Sequence, residues 1–228
     1  MVAALEREVA PLVRSWHMRP IEHDGRKFRL FENGDVALIC GGIGAASARR
    51  ATEAIVQEVR PDRVLSVGFA GALDPALAVA DVLEPRTVIN AADGARTDTG
   101  RGRGTLVSFT AVAGREQKHK LREAYGAVAV DMEAAAVAQG ADLRGVSFGA
   151  LKVISDEANK ALPPLDEFID AQGNFRAARF SAHVALRPWL WRATFSLARD
   201  SARASQSLSH ALQQYLKSEM ETKVTTHG

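Results

Sequence analysis

The chain's 228 residues, 46% hydrophobic and 25% charged, suffice for one sizeable α/β domain and exclude disordered, collagen-like and fibrous classes. A formal charge of +2 is too small to argue for nucleic-acid binding, and Cys40, the only cysteine, excludes an intramolecular disulfide and fits a reducing cytoplasm. The longest apolar stretch, Val64 to Leu83, is interrupted by Asp74, Pro75 and Asp81, so no membrane span is expected, and no signal peptide opens the chain.

In chain order, "ALEREV" (4–9) reads as a helix start. "VALIC" (36–40) is a short aliphatic strand closed by Gly41, Gly42 and Gly44, and Cys40 within it reads as a small buried hydrophobe. "AASARRATEAIVQEV" then has helical spacing at Ala48, Ala51, Ile55 and Val59, ended by Pro61. "RVLSVGFAG" (63–71) predicts a second buried strand running into another glycine turn. Further strands are expected in "DVLEPRTVI" (81–89), "TLVSFTAV" (105–112), "VAV" (128–130) and "VSFGALKVI" (146–154). Helices fit Glu116–Tyr125, Met132–Ala141 and much of Ala177–Leu216, and the Gly- and Arg-rich 91–104 segment reads as a loop. Alternation of strands and helices predicts a single three-layer α/β/α domain over 1–228, with a mixed, mainly parallel sheet and a C-terminal helical region at about 176–218. Ligands in such sheets sit at the carboxyl ends of the strands.

Four segments carry candidate chemistry: "ALEREV", "GGIGAAS" (41–47), "VGFAGALD" (67–74), and the pair "VDMEAAA" (130–136) with "VISDEAN" (153–159). Each has a plain structural reading. "GGIG" lacks the spacing of a dinucleotide fingerprint and suits a tight strand-to-helix turn. Asp131 and Glu133 suit a helix first turn through the macrodipole. Ser155 or Asp156 suits a helix cap, and Glu8 a solvated helix position. The histidines show no metal-ligand spacing, so no metal is expected.

Taken together in this order, the segments resemble the nucleoside phosphorylase and nucleosidase superfamily, in particular its 5′-methylthioadenosine/S-adenosylhomocysteine nucleosidase branch. The resemblance runs from about Ala3 to Ala171. "VDMEA", "SDEANKALPP" and the tail "RPWLW…LARDSARA" look closer still to the hopanoid-associated phosphorylases, which act on adenosylhopane. The resemblance implies cleavage of the N-glycosidic bond of an adenine nucleoside with a bulky 5′ group, by phosphorolysis or hydrolysis. Alternatives are methylthioadenosine/adenosylhomocysteine nucleosidase, a general purine nucleoside phosphorylase, or a non-catalytic nucleoside-binding protein. It casts Asp156 as the acid that protonates purine N7, with burial raising its pKa and Ser155 orienting it. Glu133 would take the ribose hydroxyls with Met132 against the sugar face, and Glu8 would activate the attacking water. Gly68, Phe69 and Ala70 would line the substrate site, and Gly41, Gly42 and Gly44 the path of water or phosphate. No cofactor is implied, phosphate being possible as a co-substrate, and a homodimer or higher oligomer is expected.

Two departures from the family pattern bear on the nucleophile. Phe69 stands where a serine or threonine is usual, and Ser66 where bacterial hexameric phosphorylases carry a phosphate-binding arginine. Arg49, Arg50 and Arg96 are candidate replacement cations, and Lys152 a candidate neighbour of the site. The chain opens "MVAAL", which suggests a shortened edge strand, a late start and a weaker placement of Glu8. Lastly, Arg176 to Arg203 holds six arginines against one acid, Asp200. The plain reading is a packed helix with its tryptophans in the core; the alternative is weak contact with an anionic membrane surface, reaching a lipid-linked nucleoside.

Overall fold

The structure is a computed structural model that describes residues 1–170 and 172–226. The chain runs β1 (Val2–Ala3), α1 (Glu6–Val13), β2 (His17–His23), β3 (Arg26–Asn33), β4 (Val36–Cys40), α2 (Ala45–Val59), β5 (Arg63–Ala72), β6 (Val82–Leu83), β7 (Thr87–Asn90), β8 (Arg96–Asp98), β9 (Thr105–Ser108) and α3 (Arg115–Tyr125). It continues through β10 (Ala129–Asp131), α4 (Ala134–Asp142), β11 (Ser147–Asp156), α5 (Ala177–Ala185) and α6 (Trp191–Thr226), with 3₁₀ turns at Asp166–Phe168 and Pro188–Leu190.

All eleven strands join one sheet in the order β2-β3-β4-β1-β5-β10-β9-β7-β8, with β11 paired to β5 and β6. The β4-β1-β5-β11 and β10-β9-β7 groups are parallel, while the outer pairs and the β5–β10 junction are antiparallel. Pro20 is tolerated in β2 because that strand is at the edge, where no second neighbour needs its missing N–H. Helices α2 and α4 cover one face through Ala48, Ala51, Ile55, Val137 and Ala141. Helices α1 and α6 cover the other through Val9, Leu12, Leu208 and Leu212. This is the expected three-layer α/β/α arrangement with a mixed sheet.

The short β1 is not an edge. It is parallel to both β4 and β5, Val2 facing Ile39 and Ser66. Two residues suffice because their neighbours supply the hydrogen bonds on both sides, and the strand carries α1 and Glu8 directly out of the sheet's middle. The expectation of a shortened edge is corrected. Pro85 splits the expected 81–89 strand into β6 and β7, and residues 91–104 contain β8, hairpinned to β7. The hairpin β2–β3 went unnoticed in the sequence, although Asp24-Gly25 marks its turn with φ of 49° and 71° at the two residues.

Helix α6 is anchored by its middle. Leu208 and Leu212 are fully buried, each such side chain contributing about 1.5–3 kcal/mol. Its first turns and the whole of α5 lack that anchor, since α5 contains no buried residue. The tryptophans of this region are not core residues: Trp189 is 73% exposed and Trp191 45%, so the packed-core expectation for them fails. Trp191 instead donates its indole N–H to Val184 O at 2.9 Å and ties α6 to α5.

Candidate active site

The carboxyl ends of β1, β4, β5, β10 and β11 open on one cavity of about 710 Å³, the place a parallel sheet reserves for ligands. Along one wall stand Glu8, Phe69, Ala70, Gly71, Met132, Glu133, Ser155 and Asp156; along the other, Leu162, Leu165, Ile169, Phe175, Phe180 and Leu197. The lining joins an acidic cluster to a mainly hydrocarbon surface into which Ser181, Thr194, Ser201, Ser205 and Gln206 are also set.

Asp156 ends β11, just past an irregularity in which Ile154 faces Ala70 and Asp156 faces Gly71. That bulge re-aims the two side chains at the strand's end. Ser155 Oγ donates to Asp156 Oδ1 at 2.7 Å, and Lys118 from α3 forms an ion pair with Oδ2. Lys118 Nζ also donates to Glu157 O at 2.8 Å. Gly71 makes room for the pair: a Cβ there would lie 3.1 Å from both Asp156 Oδ2 and Lys118 Cε. The sequence led us to expect an isolated buried acid; the structure pairs it with an ammonium that the sequence reading missed. Lys118 lies in "REQKHKLREAY", where five other charged side chains surround it, and only the folded α3 shows that this lysine is 2% exposed.

Glu133 lies at the start of α4. Its Oε1 accepts the Gly44 N–H at 2.8 Å and its Oε2 the Met132 N–H at 3.3 Å. Asp131, by contrast, is structural. It takes Ser108 Oγ at 2.6 Å, the Ala134 N–H of α4 at 2.9 Å and Lys152 Nζ at 2.8 Å. Lys152 is the largest fully buried side chain among the described residues. Burial alone would depress its pKa, but the charges of Asp131 and Glu133 and the bond from Asp131 hold it above the usual lysine value.

Glu8 closes the acidic wall. Burial, reinforced by the negative charge of Glu133 and opposed by Lys152, pushes its pKa up to about 8. Its Oε2 is buried without a hydrogen-bond partner, an acceptor left open at the cavity. Glu133 is raised for the same first reason, burial, with Asp131 adding to it. Gly68, with φ of +144°, backs Glu8: a Cβ there would stand 2.6 Å from Oε2.

The three glycines after β4 do different work from one another. Gly41 packs against α2, where a Cβ would meet Ala51 Cβ at 2.7 Å, and Gly42 is closed in by Arg26, Gln172 and Gly173. Gly44 touches Glu133 through its amide, Gly42 donates its amide to Ala4 O at 2.9 Å, and Ile43 rather than a glycine lines the cavity. Ser66 is buried in β5, and Arg49, Arg50 and Arg96 do not line the cavity. The cations that do are Lys118, paired with Asp156, and Arg7, stacked 5.1 Å from the Phe175 ring. Away from the cavity, His23, Asp24 and Glu53 bring ligand atoms within 4.8 Å of one another, a grouping hidden by their separation in sequence, and Arg144 pairs with Glu53 there at 3.5 Å.

The phosphorylase superfamily family model matches residues 1–114 and 103–186, and the chain belongs to that superfamily. It is 28% identical over 209 residues to a 5′-methylthioadenosine/S-adenosylhomocysteine nucleosidase of Staphylococcus epidermidis, covering 75% of this chain and 91% of that one. A Marinomonas protein of the same name is 29% identical over 204 residues, covering 72% and 87%. Among solved structures, futalosine hydrolase of Helicobacter pylori superposes with a TM-score of 0.70 at 18% identity, covering 95% of this chain and 96% of that one. The Helicobacter pylori 5′-methylthioadenosine/S-adenosylhomocysteine nucleosidase bound to butyl-thio-DADMe-Immucillin-A gives 0.71 at 18% identity, with the same coverage. These likenesses establish the fold.

Proposed function

We propose that this phosphorylase-superfamily enzyme hydrolyses the N-glycosidic bond of an adenine nucleoside whose 5′ substituent is large and apolar, releasing adenine. The observation that carries the reading is one cavity that holds Asp156, Glu133 and Glu8 together with a mainly apolar lining of Leu162, Leu165, Ile169, Phe175, Phe180 and Leu197. A volume of about 710 Å³ falls in the range that takes up drug-sized ligands, and the apolar wall has no use for a small polar nucleoside alone.

As the bond from C1′ to N9 lengthens, the sugar gains positive charge and the base negative charge. Glu133 holds the ribose hydroxyls and places a carboxylate near the developing cation. The base is relieved by a proton at N7 that passes from the Lys118 ammonium through the Asp156 carboxylate, leaving Lys118 an amine and Asp156 ionised as before. Water attacks C1′, and Glu8 in its ionised form, whose share grows as pH rises toward about 8, takes the water's proton through the open Oε2. Water suits this nucleophile site better than phosphate. Three carboxyls, Glu8, Glu133 and Asp131, face one lysine, Lys152, and Lys152 and Lys118 are already paired with Asp131 and Asp156, so a phosphate dianion finds no free lysine there among the described residues.

Adenosylhopane is one substrate of the proposed kind. The named nucleosidase relatives favour a second reading, cleavage of methylthioadenosine or S-adenosylhomocysteine. The test is base release from adenosylhopane, methylthioadenosine, S-adenosylhomocysteine and inosine, each with and without phosphate. Phosphate-independent release with the highest kcat/KM on adenosylhopane is expected. An obligate phosphate requirement overturns hydrolysis, and a higher kcat/KM on methylthioadenosine overturns the bulky 5′ group.

A further inference from the structure

The segment from α5 into α6 has two working faces. Its inner face supplies Phe180, Thr194 and Leu197 to the cavity. Its outer face presents Leu186, Trp189 and Phe195, exposed by 79%, 73% and 72%. Three large apolar side chains clustered around one elbow are more than the scattered exposure of an ordinary surface. Arg179 and Arg192 flank them, both exposed and without a carboxylate partner among the described residues. Arg176 and Arg199, also exposed, pair with Asp170 at 3.7 Å and Asp200 at 3.4 Å.

We infer that this elbow is a docking face for an anionic lipid surface. The chemistry is that of an interfacial segment: bulky apolar side chains at a helical turn, with arginines beside them whose stems lie along hydrocarbon while their guanidinium groups meet headgroup phosphates. Tryptophan in particular favours the headgroup boundary. No helix among the described residues is long and apolar enough to cross a membrane, so the contact is peripheral. Charge decides against a second copy of the same face. Between Arg176 and Arg203 the only acid is Asp200, and that carboxylate is buried and paired with Lys160. Two such faces brought together would oppose arginine to arginine with nothing to neutralise them. The inference is independent of the substrate reading above. Its consequence is that the roof of the cavity lies against the bilayer.

Co-sedimentation of the full chain with vesicles of phosphatidylcholine alone, or mixed with phosphatidylglycerol, tests this at low and high salt, with tryptophan emission followed in parallel. Binding to the anionic vesicles, weakened by salt and accompanied by a blue shift, is expected. Arg179→Gln with Arg192→Gln should lower the partition about fivefold for each arginine removed. Leu186→Ser, Trp189→Ser and Phe195→Ser together should abolish it. The two variants act on different forces, so a folding failure in one leaves the other decisive. Absence of wild-type binding, or unchanged binding in either folded variant, overturns the inference. So does a wild-type dimer that the serine variant splits to monomers without any vesicle binding, which assigns the face to a second copy.

Discussion

Replacing Lys118 with methionine tests whether the acid is a pair or a lone carboxyl. Methionine keeps the length and hydrocarbon of the stem but removes an ammonium that pairs with Asp156 Oδ2 and donates to Glu157 O at 2.8 Å. Both partners are almost wholly enclosed, Lys118 at 2% and Asp156 at 7% exposure. Removing one member of such a pair strands the other charge and costs about 3–5 kcal/mol, which urea unfolding at neutral pH measures. The same change withdraws the proton reservoir, so kcat for adenine release should fall by roughly 10²–10⁴. The two effects separate through chemical rescue. In Lys118→Ala, which empties the space of the lysine stem, added propylammonium restores activity near neutral pH, whereas Lys118→Met keeps that space filled and does not respond. Loss of stability with wild-type kcat in Lys118→Met, or no rescue of Lys118→Ala, would refute the reservoir role and leave Lys118 as a counter-ion.

Glu8 links pH to both stability and rate. Its carboxyl stays protonated in the fold up to about pH 8 but ionises in the unfolded chain near 4.5, so its favourable contribution is complete below the lower value and lost as pH rises to the upper. Glu8→Gln should therefore abolish turnover yet be more stable than wild type at mildly alkaline pH, by on the order of 3–5 kcal/mol; parallel stability–pH curves for the two proteins would show that Glu8 is not perturbed. Glu133→Gln should impair ribonucleosides more than 2′-deoxynucleosides, by about 1.5–3 kcal/mol, and equal losses in kcat/KM on both would make the residue structural. Gly41→Ala forces a Cβ to within 2.7 Å of Ala51 Cβ and should cost about 1–3 kcal/mol of stability in thermal unfolding with KM unchanged; a raised KM at intact stability would return Gly41 to the nucleophile's path.

Local pattern determined much of the frame. The aliphatic run Val36–Cys40, the spacing of Ala48, Ala51 and Ile55, and the apolar stretch into Ile154 each encode their element within a few residues, because burial of one face or of a whole strand demands that pattern. Asp156 stood out for a related reason, as an acid set where a buried strand gives way to polar chain, and Glu133 through the resemblance carried by "VDMEA". What only the tertiary structure decided is how distant segments meet. Lys118 reaches Asp156 across 38 residues of sequence, and nothing in a charged helix says which of its charges will be enclosed. Glu8 depends on a two-residue strand that is stable solely because β4 and β5 flank it. Trp189 and Phe195 carry the composition of a core, yet they face outward because the sheet beneath is already covered by α1 and the later turns of α6. Hydrophobicity states that a side chain gains by leaving water; which surface receives it depends on where the rest of the chain has left room.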